Sequence, residues 1–463
     1  MLYLFALNLD KPEFSSHLCL RLMKYFGTDG IRGEYKGEFI NEIFFERLGR
    51  AASTYLRRIA GLKCPKIAIA GDPRFSSESL KRAFCRGACG CEIFDFTCIP
   101  TPALAFGTLQ MKADLGVMIT ASHNPCTDNG IKFFDSKARK ISDEAQDSIE
   151  QIFDSGDFYE GEVPQISKVD MRRRYIDKME SILPENSLAG IRIVLDTANG
   201  ATCGISSEVL RHYGAEVLEL GNSPDGRNIN ENIGSEHPEM MCELVKKSKA
   251  FVGLAHDGDG DRLVVCDENG NKIAGECVMG LVAIEENQVG KLKNSGIATT
   301  VQSNIGMDES LAQYGIKVFR SGVGDRLVMQ KILENDLAMG GENSGHYIFM
   351  DISPCGDGLA AAVKLLATVL EKRIKISDIS SVVSLYPSIS KAVKVLRKTP
   401  IKDTENLSKA IAVCESKLGK RGRVLVRYSG TENKIRLLVE GESPSANQDC
   451  MKLLLKNVEI DLQ

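Results

Sequence analysis

The chain has 463 residues, 43% of them hydrophobic and 26% charged, with 58 Lys and Arg set against 62 Asp and Glu for a net charge of −4. At about 150 residues per domain, that length implies three or four domains. The near-balanced charge offers no footprint for nucleic acid, and no run approaches the roughly 18 apolar residues of a membrane span, which excludes both kinds of partner. The 14 cysteines are scattered, and the cluster Cys85, Cys89 and Cys91 lacks the second pair of a structural zinc site. They read as reduced thiols of a cytoplasmic protein.

The apolar patch at 2–7 has neither a basic flank nor a cleavage site, so it is not a signal peptide. Met23 stands directly before Lys24-Tyr25-Phe26-Gly27, and translation is expected to start there, with 1–23 set apart as an N-terminal extension. Strands are predicted at 66–70, 191–195 and 296–301, each followed by helix-compatible sequence. In each stretch a second apolar run delivers a polar or glycine-rich loop, at 117–125, 251–262 and 337–346. This pattern predicts one α/β unit used three times. From about Ser388 the tail reads strand, helix (404–418), strand (423–427), loop, strand (434–439) and terminal helix, a smaller α+β domain. The domain divisions are placed at 24–175, 176–277, 278–385 and 386–463.

Ser122, in Thr120-Ala121-Ser122-His123-Asn124-Pro125, follows the apolar run 115–119, where a buried strand breaks into a loop. Neither a Ser-His-Asp order nor a glycine-flanked elbow accompanies it, which argues against acyl transfer, and features further along the chain fit a phosphorylated serine better. A loop serine capping a helix is the plain structural alternative.

Asp257-Gly258-Asp259-Gly260-Asp261-Arg262 follows another strand-like run. In extended chain, residues i, i+2 and i+4 share a side, so the carboxylates converge while the glycines let the backbone curve around an ion. Oxygen ligands favour Mg²⁺ or Ca²⁺ over zinc. Glu268 falls at the twelfth position of a calcium-loop pattern, but Arg262 stands where that loop requires glycine. A solvated acidic turn is the other alternative. Three carboxylates plus one phosphate oxygen on Ser122 would complete a catalytic Mg²⁺ site, with Arg262 offsetting the added charge.

The transfer needs a general base, for which Lys132 and His346 are the candidates. Ordinary readings are a solvent-facing lysine and a structural hydrogen-bonder. Glu342 and Ser344, in Gly341-Glu342-Asn343-Ser344-Gly345-His346, suit paired sugar hydroxyls, or else a capped turn. Arg427-Tyr428-Ser429-Gly430-Thr431 combines a guanidinium, hydroxyls and a glycine amide as a phosphate clamp, with a polar hairpin as its alternative. A second phosphate site implies a substrate that keeps one phosphate bound while another moves.

These four motifs, in this order from about Lys24 to the end of the chain, resemble those of the α-D-phosphohexomutases. Phe26-Gly27-Thr28-Asp29-Gly30-Ile31-Arg32-Gly33, Pro224-Asp225-Gly226-Arg227-Asn228-Ile229-Asn230 with Gly234-Ser235, and Val323-Gly324-Asp325-Arg326 are most similar to bacterial members acting on glucosamine phosphates. The resemblance implies four domains around a central cleft, three similar α/β domains with mixed sheets and a smaller C-terminal α+β domain. It implies an isomerase with a phosphoserine at Ser122 and one Mg²⁺ held by Ser122, Asp257, Asp259 and Asp261. Glu342 and Ser344 would read the sugar hydroxyls. Arg427, Ser429, Gly430 and Thr431 would hold the stationary phosphate, and Arg32, His123, Lys132, Arg262 and His346 would surround the moving one. By the same resemblance, glucosamine 6-phosphate becomes glucosamine 1-phosphate through glucosamine 1,6-bisphosphate, feeding UDP-N-acetylglucosamine and peptidoglycan precursor synthesis. The only partner implied is a small sugar phosphate, and a homodimer is compatible with it. Tyr428, Asn433, Leu327 and His256 depart from the usual family pattern without removing a named ligand. The alternatives are a family member acting on mannose or glucose phosphates, and a sugar-phosphate sensor without catalysis. Retention of Ser122 and all three aspartates argues against the sensor.

Overall fold

The computed structural model describes residues 24–27, 29–429 and 433–463. The expectations for 1–23, Gly430 and Thr431 lie outside the described residues.

The first sheet contains β1 (Ile31–Glu34), β2 (Lys66–Gly71), β3 (Glu92–Cys98), β4 (Leu115–Ile119), β5 (Asp128–Asp135) and β6 (Gln165–Lys168), in the order β1-β5-β4-β2-β3-β6. Its central strands are continuous apolar runs because both faces are covered. The helices Glu42–Thr54 and Ser77–Gly87 pack on one face, and Thr101–Gln110 on the other. The second sheet has β7 (Arg192–Asp196), β8 (Glu216–Leu220), β9 (Val252–Ala255), β10 (Val264–Cys266) and β11 (Lys272–Ile273), ordered β11-β10-β9-β7-β8. The third has β12 (Gly296–Thr300), β13 (Lys317–Ser321), β14 (Met339–Gly341) and β15 (Tyr347–Phe349), ordered β13-β12-β14-β15.

A single core recurs in all three sheets. β3-β2-β4-β5, β8-β7-β9-β10 and β13-β12-β14-β15 each comprise three parallel strands closed by one antiparallel strand. The repetition expected from the strand spacing is present. It also puts the three polar loops at one topological position, between the third and fourth strands of each unit. One apolar core, from Leu104 and Tyr175 through Leu195 and Leu254 to Leu366, runs through all three units.

The last sheet is antiparallel, β16 (Ser388–Lys394), β17 (Gly422–Tyr428) and β18 (Lys434–Gly441), ordered β16-β18-β17 and covered by Glu405–Leu418 and Pro444–Leu462. It has its own core around Leu407, Leu437 and Leu454. Arg423 ties it to the third unit by donating to Ser303 O at 2.7 Å, as does Glu440, which accepts from Ile305 N at 3.0 Å. The divisions expected after Tyr175 and Cys277 fall within the helices Met171–Glu180 and Gly275–Gln288. The first helix begins earlier because Asp170 caps it, and Met171, Tyr175 and Met179 on one face anchor it in the shared core.

Candidate active site

β4 is buried throughout and ends at Ile119, and Thr120 N still donates to Gly130 O at 3.0 Å. The chain then turns. Ser122 adopts φ 54°, in the left-handed region, with its N–H held by Thr120 Oγ1 at 2.9 Å. No helix starts here, so the helix-capping alternative does not apply. The Ser122 hydroxyl is buried, donates to Asp257 Oδ2 at 2.5 Å and lies 3.4 Å from His123 Nδ1.

Asp257, Asp259 and Asp261 occupy the loop between β9 and β10, all buried, with ligand oxygens within 4.8 Å of one another. Gly260 takes φ 74°, and a Cβ on Gly258 would stand 2.7 Å from Ser122 O, so the two loops meet at backbone contact. Thr101, at the start of a helix in the first unit, donates through its hydroxyl to Asp259 Oδ2 at 2.6 Å and through its N–H to Asp259 O at 2.9 Å. Glu268 is turned away and accepts from Ser377, and strands flank the loop, so the calcium-loop pattern is absent.

Lys132 lies on β5 with 1% exposure, which overturns the solvent-facing reading. Its ammonium donates to Asp259 Oδ2 at 2.8 Å and Asp261 Oδ2 at 3.0 Å. Burial opposes its charge, but Asp259 and Asp261 outweigh burial and raise its pKa. Both aspartates in turn titrate below the usual carboxylate value despite burial, mainly because of Lys132. Asp257 goes the other way, pushed well up by burial and by its two neighbours. One ammonium therefore does not balance three carboxylates. Asp259 Oδ1 and Asp261 Oδ1 are buried without a hydrogen-bond partner among the described residues. Unpaired anionic oxygens directed into one spot, all hard donors, fit a divalent cation such as Mg²⁺.

Around this centre, Arg32 donates to Ala121 O at 3.3 Å and pairs with Asp29. Asp29 also pairs with Lys140 and lies 3.3 Å from Lys132. Lys140 reaches Asp325 of the third unit at 2.8 Å. His346 Nε2 is 3.5 Å from Asp325 and 4.0 Å from Asp261. Arg262 pairs with Glu236 at 3.0 Å, and its backbone bridges to that of His346. His123 and the buried His256 are both pushed down to about 4, chiefly by burial. His256 does not reach the trio; it bonds Ser206 Oγ at 3.1 Å and Arg262 O at 3.0 Å.

Glu342 accepts from Gly324 N at 3.2 Å, and burial raises its pKa. Ser344 is exposed beside it. Arg427 and Ser429 stand apart on β17 and its end. Ser429 is buried, and Arg427 lies opposite Arg436, which together with burial lowers its pKa. The structure thus gathers Ser122, His123, Lys132, Arg32, Arg262, His346 and the aspartates. Arg427 and Ser429 make no direct contact with that group among the described residues. Asp29, Thr101, Lys140 and Asp325 belong to the cluster but were not singled out by sequence. Asp29 and Asp325 lie inside quoted motifs, and an acidic residue within a glycine-rich motif was the available signal.

A hydroxyl set against three buried carboxylates that one lysine balances only in part, at the junction of repeated α/β units, has the parts of an intramolecular phosphotransferase, a class of isomerase. Four domain families match in order: Phosphoglucomutase/phosphomannomutase alpha/beta/alpha domain I at 23–160, domain II at 173–270, domain III at 274–386 and the C-terminal domain at 391–456. The chain belongs to the phosphoglucomutase/phosphomannomutase family, the α-D-phosphohexomutases. It is 40% identical to the phosphoglucosamine mutase of Aliarcobacter butzleri over 443 residues, covering 94% of this chain and 98% of that one. With the phosphoglucosamine mutase of Nautilia profundicola it shares 41% identity over 437 residues, covering 93% and 97%. The crystal structure of a phosphoglucomutase/phosphomannomutase family protein from Burkholderia thailandensis superposes with a TM-score of 0.79 at 21% identity, covering 94% of this chain and 97% of that one. Among the described residues, no helix is long and apolar enough to cross a membrane.

Proposed function

We propose that this chain interconverts glucosamine 6-phosphate and glucosamine 1-phosphate in the cytoplasm, through a phosphoserine at Ser122 and a glucosamine 1,6-bisphosphate intermediate. The observation that carries the reading is the 2.5 Å approach of the Ser122 hydroxyl to Asp257 within the aspartate trio. Asp257, Asp259 and Asp261, with a phosphate oxygen on Ser122, would hold Mg²⁺. Bound there, the ion supplies charge neutralisation and polarises the phosphorus toward attack.

The chain's own groups do the rest. Arg32, His123 and Arg262 line the place of the moving phosphoryl group, and the two guanidiniums offset its charge as it spreads over the equatorial oxygens. Lys132, kept protonated by Asp259 and Asp261, hands a proton to the departing oxygen, while His346 takes the proton that the attacking hydroxyl gives up, and in the reverse transfer the same two groups return both protons. His346, between Asp261 and Asp325, orients that end of the cleft. Glu342 and Ser344 read the sugar hydroxyls. Arg427, Ser429, Gly430 and Thr431 hold the stationary phosphate, so the bisphosphate can turn over without being released.

Peptide mapping tests the reading. Phosphate is expected on Ser122 after incubation with glucosamine 1,6-bisphosphate, and Ser122→Ala is expected to abolish turnover while keeping the fold. Rates on glucosamine, mannose and glucose 6-phosphates should rank glucosamine first. Full activity in Ser122→Ala would reject the mechanism, and a faster rate on mannose or glucose phosphate would reject the substrate.

A further inference from the structure

The loop that carries Ser122 turns its carbonyl oxygens toward a single buried cation. Arg74 Nη2 donates to Ser122 O at 2.9 Å and Asn124 O at 2.8 Å, while Nη1 donates to Asp128 O at 3.0 Å and to Pro125 O. Arg74 is 2% exposed, and its Nε pairs with Asp72 Oδ2 at 2.9 Å. Asp72 also accepts from the hydroxyls of Thr120 at 2.7 Å and Ser77 at 2.9 Å, so the guanidinium cannot swing. A planar fork of fixed donors is the group suited to hold several carbonyls at once.

The second unit reaches the same carbonyls. Asn230 Nδ2 donates to Ser122 O at 2.9 Å and Asn124 O at 3.0 Å. The amide orientation is forced, since its oxygen in that place would face two other oxygens. Asn230 ends the stretch Pro224-Asp225-Gly226-Arg227-Asn228-Ile229-Asn230, which the site so far leaves unexplained. That stretch is shaped by Asp225, which accepts from Arg227 N at 2.7 Å and Asn228 N at 2.9 Å. It docks on the first unit through Phe75 N to Gly226 O at 2.9 Å and the Arg227 guanidinium 4.9 Å over the Phe75 ring.

We propose that Arg74 and Asn230 are positioning residues, which converge from two domains on the Ser122 carbonyl and hold the hydroxyl in register with the aspartate trio. One donor leaves a carbonyl free to pivot. Two donors on different units fix both the pivot and the offset between the loops, and Ser122 is thereby kept at a positive φ that residues with a Cβ seldom enter. The inference rests on the reading of Ser122 as the phosphate carrier.

Asn230→Asp keeps the side-chain volume and removes both donors. It is expected to lower kcat by roughly 10- to 100-fold, with KM for glucosamine 6-phosphate within about twofold. Loading of Ser122 by glucosamine 1,6-bisphosphate, followed by intact mass well below the unfolding midpoint, which a carboxylate facing two carbonyls lowers, is expected to slow by the same factor. Arg227→Ala, in the same loop but without contact to the Ser122 carbonyl, is expected to keep wild-type kcat within about twofold. Arg74→Lys, which keeps the charge beside Asp72 but cannot span four carbonyls, is expected to follow Asn230→Asp; if it fails to fold, Asn230→Asp decides. Wild-type loading with unchanged kcat in Asn230→Asp overturns the inference alone, as does an equal loss in Arg227→Ala. A wild-type protein that takes no phosphate on Ser122 overturns the functional reading and this inference with it.

Discussion

Lys132 Nζ lies 2.8 Å from Asp259 Oδ2, a buried ammonium of the first unit set into the carboxylate loop of the second. Lys132→Met would leave three buried carboxylates without it, and removing one partner of a buried pair costs about 3–5 kcal/mol. The variant is expected to bind Mg²⁺ more tightly, to gain thermal stability when Mg²⁺ is added, and to lose about 10²- to 10⁴-fold in kcat. Calorimetric titration beside turnover assays checks both directions. Wild-type kcat would remove Lys132 from proton transfer.

Gly258→Ala places a methyl group 2.7 Å from Ser122 O and 2.9 Å from Asn230 Nδ2. Both contacts involve groups already fixed by hydrogen bonds, so the carboxylate loop must retreat. Overpacking of this kind costs about 1–3 kcal/mol, and a shift of the trio away from Ser122 is expected to reduce kcat by more than about tenfold. Urea unfolding and steady-state kinetics measure the two effects separately. An active, equally stable variant would show that the backbone contact is dispensable.

Arg427 stands beside Arg436, and no ion pair joins it to an acidic side chain among the described residues. Burial and the neighbouring Arg436 make the Arg427 charge costly, and a bound phosphate would offset that cost. Arg427→Ala is expected to raise KM for glucosamine 6-phosphate about tenfold or more, as loss of a charge-assisted phosphate contact does. KM values at two salt concentrations are the check, because the penalty should shrink as salt screens the wild-type contact.

Asp357 caps the helix Gly358–Lys372, accepts from Tyr175 at 2.9 Å and is pushed up to about 6 by burial, against 3.8 when free. Between pH about 4 and 6 the folded protein therefore holds a proton that the unfolded chain has released. Stability falls as pH rises through that window, and the full penalty, on the order of 3 kcal/mol, applies above pH about 6. Asn can cap the same helix without ionising. Asp357→Asn is expected to gain stability relative to wild type from pH 4.5 to pH 7.5, as read from urea midpoints. A difference independent of pH would mean that the Asp357 pKa is not raised.

Much of the site was legible because reactive groups travel in short motifs. Ser122, the three aspartates and His346 were each recognisable within six residues of chain. The strand spacing also announced the repeated α/β unit, since strands buried on both faces must be continuous apolar runs. Lys132 was harder. Alternation along β5 divides its residues between two faces, but it does not say which face another domain will cover. Thr101, Lys140 and Asp325 escaped for a related reason, because their meaning comes from partners in other units, and Asp29 because Lys132 and Lys140 reach it from more than a hundred residues away in its own unit.

What the residues determined unaided was the chemistry on offer: a hydroxyl at a strand end, an oxygen-rich cation loop and a histidine loop, strung along three copies of one fold unit, and a cationic clamp in the smaller last domain. Only the tertiary structure decided that the first three meet. Ser122 and Asp257 are 135 residues apart, and Lys132 and Asp259 are 127 apart. They are neighbours because one apolar core joins the three units and each unit releases its loop between the same two strands. Local sequence sets a side chain's type and its place on a strand, whereas the packing of one unit on the next sets the few ångströms between reacting atoms.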